Sequence, residues 1–283
     1  MSNPSAGEKA GTAESATAPP VVKFDKVSKT YEGGYTAIHD VSFQVDDRPG
    51  HMEIVGILGP SGCGKSTVLR LIAGLGPQHP ATTGTVEVMG KPVDAPGADR
   101  GFVFQDYTSF DNRTVEDNIA FGLECRGMSR EERIREAHTW ISKVGLDPKR
   151  DARKYPNELS GGMRQRVALA RSLILKPRVM LMDEPFGALD PATRYAMQDL
   201  LVNLSREVQA TVFLVTHSIE EAVYVGDRIY IFSNAPGTIL KQMTVPSPDL
   251  PAKVMQREPE FLKVCFDVRD IVEGLEMSTK AGT

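Results

Sequence analysis

The sequence predicts an α/β fold in which antiparallel strands precede a parallel sheet, with a helical segment inserted between the strands. The short apolar runs HMEIVGIL, RVMLMDEP and TVFLVTHS are typical of strands buried on both faces. The first run leads into a Gly-rich turn and a helix, which is the order that a parallel sheet requires. Residues 113–155 instead show mostly helical patterning. Together these observations predict an α/β core with a helical insert.

The remaining elements follow from local patterns. The alternating segments VVKFDKVSKTY and AIHDVSFQVD, separated by Gly33-Gly34, predict antiparallel strands. Helices are expected from about Ser160 and over Pro191–Val208. Further strands are expected at 85–89, 101–105 and 227–234. In the insert, one face of a predicted helix consists of Ile134, Ala137, Trp140, Ile141 and Val144.

The chain divides into three parts. Residues 1–20 are small and polar and cannot offset the entropy of ordering, so we expect a disordered tail, with a regulatory arm as the alternative. Residues 21–245 form one domain with the helical insert at about 106–160. Residues 246–283 form a C-terminal helical extension, which either packs on its own domain or regulates it. Its apolar stripe consists of Phe261, Val264, Val268, Ile271 and Leu275.

Charge and cysteine content exclude several classes of protein. The chain has 33 Lys and Arg residues and 37 Asp and Glu residues, and its net charge of −4 suits nonspecific nucleic-acid binding poorly. The three cysteines show neither a disulfide framework nor a CxxC metal spacing and indicate a reducing compartment. No apolar run approaches the roughly 18 residues that span a bilayer, and residues 1–18 lack a signal-peptide core. We therefore expect a soluble, cytoplasmic chain whose membrane role, if any, requires a partner.

A Gly-rich loop follows the first buried strand. Its sequence GPSGCGKST fits GxxxxGK[ST], in which backbone N–H groups surround phosphate oxygens at the start of a helix. Lys65 is expected to reach the β- and γ-phosphates of a nucleoside triphosphate, and Ser66 to bind Mg²⁺. The predicted nucleotide-binding residues are Gly59, Pro60, Ser61, Gly62, Cys63, Gly64, Lys65, Ser66 and Thr67.

Two carboxylates follow the strand at 179–182. Ligands of open α/β sheets bind at the carboxyl ends of the strands, so Asp183 and Glu184 are expected near the Gly-rich loop. Asp183 is expected to hold Mg²⁺ through water, and Glu184 to orient and deprotonate the attacking water. Adjacent acids at a strand end also occur in solvated turns, but the Gly-rich loop favours the catalytic interpretation.

A second anion-binding segment lies far along the chain. Ser160, Gly161 and Gly162 stand at a helix start, where exposed N–H groups and a hydroxyl attract phosphate. The alternative is an ordinary helix N-cap with flexible glycines. One ATP per chain accounts for both segments only if the second segment contacts the ATP that another chain binds.

Over about residues 21–245 the chain resembles the nucleotide-binding subunits of ABC transporters, with the family's motifs in family order. The matching segments are GPSGCGKST (Walker A), Gln105 in FVFQDY (Q-loop), LSGGMRQR (signature), VMLMDEP (Walker B), Ala188-Leu189-Asp190 (D-loop) and His217 in VTHS (switch histidine). Tyr31 lies where the family places an aromatic that stacks on adenine, with a strand-surface role as the alternative. The implied fold is a P-loop NTPase (ABC ATPase) core with an N-terminal antiparallel β subdomain and an inserted α-helical subdomain.

The resemblance implies a site shared between two chains. In the implied head-to-tail homodimer, each ATP lies between the Walker A segment of one chain and Ser160–Gly162 of the other, with Asp190 also at the nucleotide. It further implies that His217 contacts the γ-phosphate and positions the water, and that Gln105 touches Mg²⁺. The helical insert would receive a coupling helix from an integral-membrane permease at the cytoplasmic face of the membrane. A separate solute-binding protein would choose the solute together with the permease.

Three segments resemble the nitrate/sulfonate/taurine importer branch of the family. They are PGADRGFVFQ, EEAVYVGDRIYIFSNAPGTI and the short C-terminal helix. The chain departs from this branch in the longer connection DDRPGHM and in TSFDNRTVEDN, where Asp111, Asn112 and Arg113 replace an aromatic-containing stretch at the expected permease contact. The resemblance therefore implies ATP-driven import of a small solute, with a pyrimidine precursor or another solute as alternatives.

Rival functions fit the sequence less well. A DNA-repair ABC protein would need a very long coiled-coil insertion between Gln105 and Ser160, which the short segment there excludes. Translation members of the family usually carry two cassettes in one chain, whereas this chain has one. A GTPase would show an NKxD-like guanine reader, and a kinase has no use for LSGGMRQR. A soluble ABC ATPase without a permease remains the alternative to an importer subunit.

Overall fold

The structure, a computed structural model, describes residues 18–47, 50, 52–106 and 109–281, with side chains to residue 274. Most of the predicted disordered tail, residues 1–17, lies outside this part. The strands are β1 (Val22–Thr30), β2 (Thr36–Val45), β3 (Ile54–Leu58), β4 (Thr83–Val88), β5 (Lys91–Pro92), β6 (Arg100–Val103), β7 (Val179–Asp183), β8 (Thr211–Thr216), β9 (Arg228–Phe232) and β10 (Ile239–Thr244). The helices are α1 (Lys65–Ala73), α2 (Val115–Cys125), α3 (Arg130–Lys143), α4 (Pro148–Asp151), α5 (Gly161–Leu173), α6 (Pro191–Val208), α7 (Ile219–Val225), α8 (Ala252–Met255) and α9 (Pro259–Ala281), with a 3₁₀ turn at Pro156–Glu158.

The strands form two sheets. A four-stranded antiparallel sheet has the order β2-β1-β4-β5. A six-stranded sheet has the order β10-β9-β3-β8-β7-β6, in which only the edge strand β10 runs antiparallel to its neighbour. The predicted α/β class, with antiparallel strands at the start of the domain, is confirmed.

The central strands of the six-stranded sheet are buried on both faces, which explains their continuous apolar runs. In β7, Met180 and Met182 face a core shared with the helical insert and α6. The alternate residues Val179 and Leu181 face a second core, shared with α1 and the antiparallel sheet. A polar residue on either face of this strand would therefore be desolvated.

Aromatic rings join the two sheets. Phe24 of β1 stacks on Phe43 of β2 with ring centroids 4.6 Å apart. Phe43 also lies 5.0 Å from the ring of Tyr230 in β9 and 6.2 Å from that of Phe213 in β8. The antiparallel sheet is thereby packed against the parallel one, which brings the loop after β1 close to the Gly-rich loop after β3.

The helical insert forms as the sequence predicts. The predicted helix face lies in α3 and its C-cap, where Ile134 is half-buried and the rest of the set is fully buried: Ala137, Trp140, Ile141 and Val144. Side-chain oxygens of Thr114, Ser129 and Asp147 cap the N-termini of α2, α3 and α4. These caps define where the short helices begin.

The C-terminal helix α9 packs on α7, the helix that begins two residues after His217. Phe261 and Val268 of its apolar stripe are buried, as is Cys265 outside the predicted stripe, whereas Val264 and Ile271 are half-buried. Leu275 lies beyond the described side chains. Within the described part of the chain, no helix combines the length and apolar character that crossing a bilayer requires.

Candidate active site

Four parallel strands end at one edge of the six-stranded sheet. The Gly-rich loop follows β3, Asp183 ends β7 and His217 follows β8. Gln105 lies just after the end of β6. Because β3, β8, β7 and β6 are successive neighbours, these groups emerge side by side. The six-stranded sheet thus collects residues that are far apart in the sequence.

The Gly-rich loop is held in a conformation that requires glycine before α1. Gly64 has φ +93°, and a Cβ there would lie 2.4 Å from Ile38 Cγ2 and 2.7 Å from the Ala37 carbonyl oxygen. Gly64 is also the N-cap of α1, and no side chain caps this helix. The first N–H groups of α1 therefore remain available to an anion at the positive end of the helix.

Lys65 is buried within this loop, with 5% of its surface exposed. Its Nζ donates hydrogen bonds to the carbonyl oxygens of Gly59 at 2.7 Å and Pro60 at 2.8 Å. The loop itself thus holds the ammonium group beside the free helix N-terminus. An anion bound there would meet both a full charge and backbone donors.

Ser66 and Asp183 form the next contact. Ser66 Oγ donates a 2.9 Å hydrogen bond to Asp183 Oδ1. Burial raises the pKa of the Asp183 carboxyl, while the hydrogen bond from Ser66 and the charge of Arg70 oppose that rise. A hydroxyl and a nearly buried carboxylate, both oxygen donors, are suitable ligands for a hard divalent cation.

Glu184 and His217 face each other beside this pair. His217 Nδ1 lies 3.3 Å from Glu184 Oε2, and the imidazole is exposed whereas the carboxylate is half-buried. The backbone of Glu184 has φ +46°, a conformation that non-glycine residues seldom adopt. Its N–H donates to the Val215 carbonyl oxygen at 3.0 Å, which fixes the residue to β8. Strained backbone of this kind is found preferentially at functional sites.

A cavity of about 390 Å³ lies beside these groups; Lys65, Ser66 and Glu184 line it, whereas Asp183 and His217 do not. Two tyrosines at its rim, Tyr31 and Tyr35, have nearly parallel rings with centroids 6.3 Å apart. Tyr31 Oη is 3.0 Å from Thr67 Oγ1, and Tyr35 Oη donates to the Gly62 carbonyl oxygen at 2.9 Å. The lining residues are Tyr31, Tyr35, Ala37, Ser61, Gly62, Gly64, Lys65, Ser66, Thr67 and Glu184.

Tyr35 and Gly237 were not predicted. The signal for Tyr35 is the Gly33-Gly34 pair, which turns the chain so that Tyr35 returns beside Tyr31. Gly237 has no comparable signal, because its partner is distant in sequence. A Cβ at Gly237 would lie 1.9 Å from the Cys63 carbonyl oxygen, so this glycine allows the chain after β9 to touch the Gly-rich loop.

Cys63 is the other predicted loop residue whose environment is informative. Its thiol is 1% exposed, and burial raises the pKa of the thiol despite the opposing charge of Lys65. A buried, protonated thiol packs as a small apolar side chain and is a poor nucleophile. The side chain therefore fills the loop and offers no chemistry of its own.

Several predicted residues do not line the cavity, among them Gly59, Pro60, Cys63, Asp183 and His217 near the Gly-rich loop and, farther away, Gln105, Ser160–Gly162 and Asp190. Gln105 is exposed beyond β6 and is absent from the described lining residues. Ser160 is exposed at the N-terminus of α5, where its Oγ accepts a hydrogen bond from Met163 N at 3.3 Å. Asp190 caps α6 through Ala192 N and Thr193 N. Since α5 packs on α6, the Ser160–Gly162 and Asp190 segments belong to one neighbourhood, separate from the cavity.

Comparison with known proteins agrees with this architecture. Residues 38–187 match the ABC transporter family. The nitrate import ATP-binding protein NrtD of Synechocystis sp. is 41% identical over 262 residues, which cover 90% of this chain and 95% of that protein. The taurine import ATP-binding protein TauB of Escherichia coli K12 is 43% identical over 212 residues, 75% of this chain and 79% of that protein.

A solved structure extends the likeness to three dimensions. The ATP-binding cassette MJ0796, in a dimeric post-hydrolysis state bound to ADP and Pi, superimposes with a TM-score of 0.68 at 33% identity. The match covers 80% of this chain and all of that chain. With this agreement of sequence, fold and site geometry, the chain belongs to the ABC transporter family and is one of its ATP-binding, ATP-hydrolysing subunits.

Proposed function

We propose that this chain binds MgATP in the cavity beside the Gly-rich loop and that hydrolysis of the ATP drives import of a small solute through a separate permease. One observation carries the ATPase part of this proposal. Lys65, the Ser66–Asp183 pair and the Glu184–His217 pair lie together near the N-terminus of α1, which no side chain caps. In this proposal the N–H groups of α1 and the Lys65 ammonium bind the β- and γ-phosphates.

The oxygen ligands present fit Mg²⁺. Asp183 is a nearly buried carboxylate whose ionised form is disfavoured by burial, so a cation at Ser66 and Asp183 would compensate its charge. The described residues contain no cluster of three or more His, Cys, Asp or Glu side chains arranged to hold a metal. The single carboxylate of Asp183 with the Ser66 hydroxyl suits Mg²⁺, which proteins bind through one or two carboxylates together with substrate phosphates. When bound, Mg²⁺ would neutralise developing charge on the phosphates. Gln105, at the end of the neighbouring strand β6, is proposed as a further ligand.

Glu184 and His217 are proposed to prepare the attacking water. Glu184 Oε2 is the candidate base, because it lines the cavity and its backbone is held to β8. His217 is proposed to orient the water and to contact the γ-phosphate from the facing side. Tyr31 is proposed to stack on adenine, and Tyr35 beside it widens the aromatic wall.

The second anion-binding segment is proposed to act on the partner's nucleotide in a homodimer. Ser160–Gly162 and Asp190 are not among the residues that line the chain's own cavity, as expected if one chain carries two complementary half-sites. Such a pair closes under twofold symmetry, giving two equivalent sites. The dimeric state of the related cassette MJ0796 with ADP and Pi supports this arrangement.

The importer assignment rests on the relatives whose names describe import of nitrate and of taurine. We propose a solute of that class, a peripheral position at the cytoplasmic face of the membrane, and a separate solute-binding protein. The proposed permease contact is the start of the helical insert. There Arg113 lies over the rings of Phe110 and Phe121, at 5.7 and 4.9 Å, and donates to Glu124 at 2.7 Å. Phe110 is 38% exposed and so available to a partner helix.

Co-purification tests the proposal. The tagged chain is recovered from detergent-solubilised native membranes, and the co-purifying chains are identified by mass spectrometry. A multi-span permease at equal stoichiometry, together with Mg²⁺-dependent ATPase activity that Lys65→Ala abolishes, is the expected result. Ribosomal or DNA-repair partners in place of a permease would overturn the transport assignment. A genetically linked solute-binding protein is then tested for binding to nitrate, taurine and pyrimidines by calorimetry.

A further inference from the structure

A buried carboxylate that the proposed mechanism does not use lies directly behind His217. Glu221 on α7 is 5% exposed, and its Oε2 accepts a 2.6 Å hydrogen bond from Thr216 Oγ1. The same Thr216 oxygen accepts a hydrogen bond from Ser218 N at 3.0 Å. Thr216 and Ser218 flank His217 in the chain. The backbone on both sides of His217 is therefore tied to the carboxylate of Glu221.

The other oxygen of this carboxylate faces α6. Arg194 Nε lies 3.6 Å from Glu221 Oε1. Arg194 Nη2 also donates to the Leu189 carbonyl oxygen at 3.0 Å, and Arg194 N donates to the Asp190 carbonyl oxygen at 2.9 Å. One guanidinium group thus contacts both the Asp190 loop and the carboxylate behind His217.

Stability alone does not explain why an ionisable carboxyl is buried at Glu221. Burial raises the pKa of the Glu221 carboxyl, while the Thr216 hydroxyl and the charge of Arg194 partly offset that effect. His217 and Glu220 also face this carboxyl. A well-packed apolar side chain commonly stabilises a protein as well as a buried ion pair does. The ionisable pair is therefore better explained by the geometry that it imposes on its neighbours.

We propose that Glu221 and Arg194 are positioning residues for ATP hydrolysis. They hold the backbone of His217 so that its imidazole remains next to Glu184, and they link that position to the Asp190 loop. This inference rests on the proposed function, in which His217 acts on the nucleotide of its own chain and Asp190 lies beside that of the partner. Closure of the dimer at Asp190 would then be transmitted to His217 through one arginine.

The test is the steady-state ATPase of the full chain with Mg²⁺. Glu221→Gln keeps an acceptor for Thr216 but removes the charge that Arg194 faces, and Thr216→Val removes the hydroxyl while keeping the side-chain shape. Each variant is expected to lower kcat by roughly tenfold or more, because small displacements of catalytic groups have large effects. KM for ATP is expected to stay within about twofold, because the phosphate-binding residues are unchanged. Arg194→Lys is expected to retain more activity than Arg194→Met.

A matched control separates positioning from general destabilisation. Glu53 and Arg228 form another ion pair of low exposure, with 2.6 Å between Glu53 Oε1 and Arg228 Nε, at the ends of β3 and β9 that lie away from the site. Glu53→Gln is expected to lower Tm without changing kcat below the unfolding transition. In a His217→Ala background, Glu221→Gln is expected to cause no further loss of kcat, since coupled residues are not additive.

Three results would overturn the inference. They are a wild-type kcat in both Glu221→Gln and Thr216→Val, an equal loss of kcat in Glu53→Gln, and a full additional loss in the His217→Ala background. A wild-type chain without Mg²⁺-dependent ATPase activity, alone and with its permease, would overturn the proposed function itself. The two failures are therefore distinguishable.

Discussion

Ser66 Oγ donates a 2.9 Å hydrogen bond to Asp183 Oδ1 although 117 positions separate the two residues in the chain. The contact exists because β3 and β7 end at the same edge of the six-stranded sheet, with β8 between them. Asp183 is only 7% exposed, so its charge is poorly solvated and is balanced in part by Arg70 and Lys65. The pair leaves a carboxylate at a position where a divalent cation would stabilise the folded chain.

Replacing Asp183 tests this relationship. Because burial raises the pKa of Asp183, its charged form opposes folding at neutral pH in the absence of a cation. Asp183→Asn is therefore expected to unfold at an equal or higher temperature than the wild type without nucleotide. Its ATPase activity is expected to fall on the order of a hundredfold. Differential scanning fluorimetry with ATP, with and without Mg²⁺, provides the measurement. An increase in Tm on adding Mg²⁺ that is as large in the variant as in the wild type would contradict the metal role.

Glu184→Gln separates ATP binding from hydrolysis. The amide keeps the size of the side chain beside His217 but cannot accept a proton, so kcat is expected to fall by about 10²–10⁴-fold. ATP binding is expected to persist, and the dimer is expected to accumulate in size-exclusion chromatography with ATP. Glu273→Gln, at an exposed position on α9, is the control. Hydrolysis by Glu184→Gln at the wild-type rate would show that another group is the base.

Ser160→Arg tests the shared site against an internal control. Ser160 and Ser129 both cap a helix by accepting a hydrogen bond from the backbone N–H three residues on, each at 3.3 Å. Replacing either one removes a cap and is expected to cost about 1 kcal/mol of stability. Only Ser160→Arg is expected to prevent ATP-driven dimerisation, measured by light scattering, while ATP still binds to the monomer. Equal ATP-driven dimerisation of Ser160→Arg and of the control Ser129→Arg would argue against the proposed half-site.

Asp151 makes the stability of the helical insert depend on pH. Arg150 donates the hydrogen bonds that do most to hold the pKa of this buried carboxyl well below its ordinary value of 3.8. Lys154 donates a further hydrogen bond that lowers the pKa, whereas burial raises it. Its contribution is therefore complete above the unfolded-state pKa and is lost as pH falls through the folded-state pKa. Asp151→Asn is expected to lower the free energy of unfolding by about 2 kcal/mol at pH 7. Urea unfolding at pH 7 and in acid should show this difference shrinking below about pH 4.

The control for Asp151 is an exposed ion pair. Asp47 accepts a 2.7 Å hydrogen bond from Arg178, whose side chain is 51% exposed. Asp47→Asn is expected to change the free energy of unfolding by at most about 1 kcal/mol. A loss for Asp47→Asn as large as that for Asp151→Asn would contradict the larger contribution assigned to the hydrogen bonds of the buried carboxyl.

The cysteines should differ in reactivity. Cys125 is exposed, whereas Cys63 and Cys265 are buried, and burial raises the pKa of Cys265 to about 12. Because the thiolate is the reactive form, one thiol per folded chain is expected to react rapidly with Ellman's reagent at pH 7.5. Cys125→Ser should remove this fast phase, and denaturant should expose the remaining thiols. Rapid modification of the folded Cys125→Ser variant would show that the loop around Cys63 opens readily.

Much of the fold could be predicted because its signals are local. The apolar runs of β3, β7 and β8 are continuous because both faces of the sheet are covered, and the helix Pro191–Val208 has the bounds that were predicted. Short elements without a strong period were not predicted, among them β5, α7 and β10. Their positions depend on neighbouring strands and helices more than on their own sequence pattern.

By itself, the sequence predicted the chemistry of the site: the Gly-rich loop, the two acids after β7 and the Ser160 segment follow from residue type and spacing, and His217 follows from the family resemblance. Only the tertiary structure decided which of these groups meet. It placed Ser66 on Asp183 and Glu184 against His217, and it left Ser160–Gly162 outside the cavity lining. It also brought Tyr35, Gly237 and the Glu221–Arg194 pair to the site. Such contacts depend on strand order and packing between distant segments, which no local pattern in the sequence encodes.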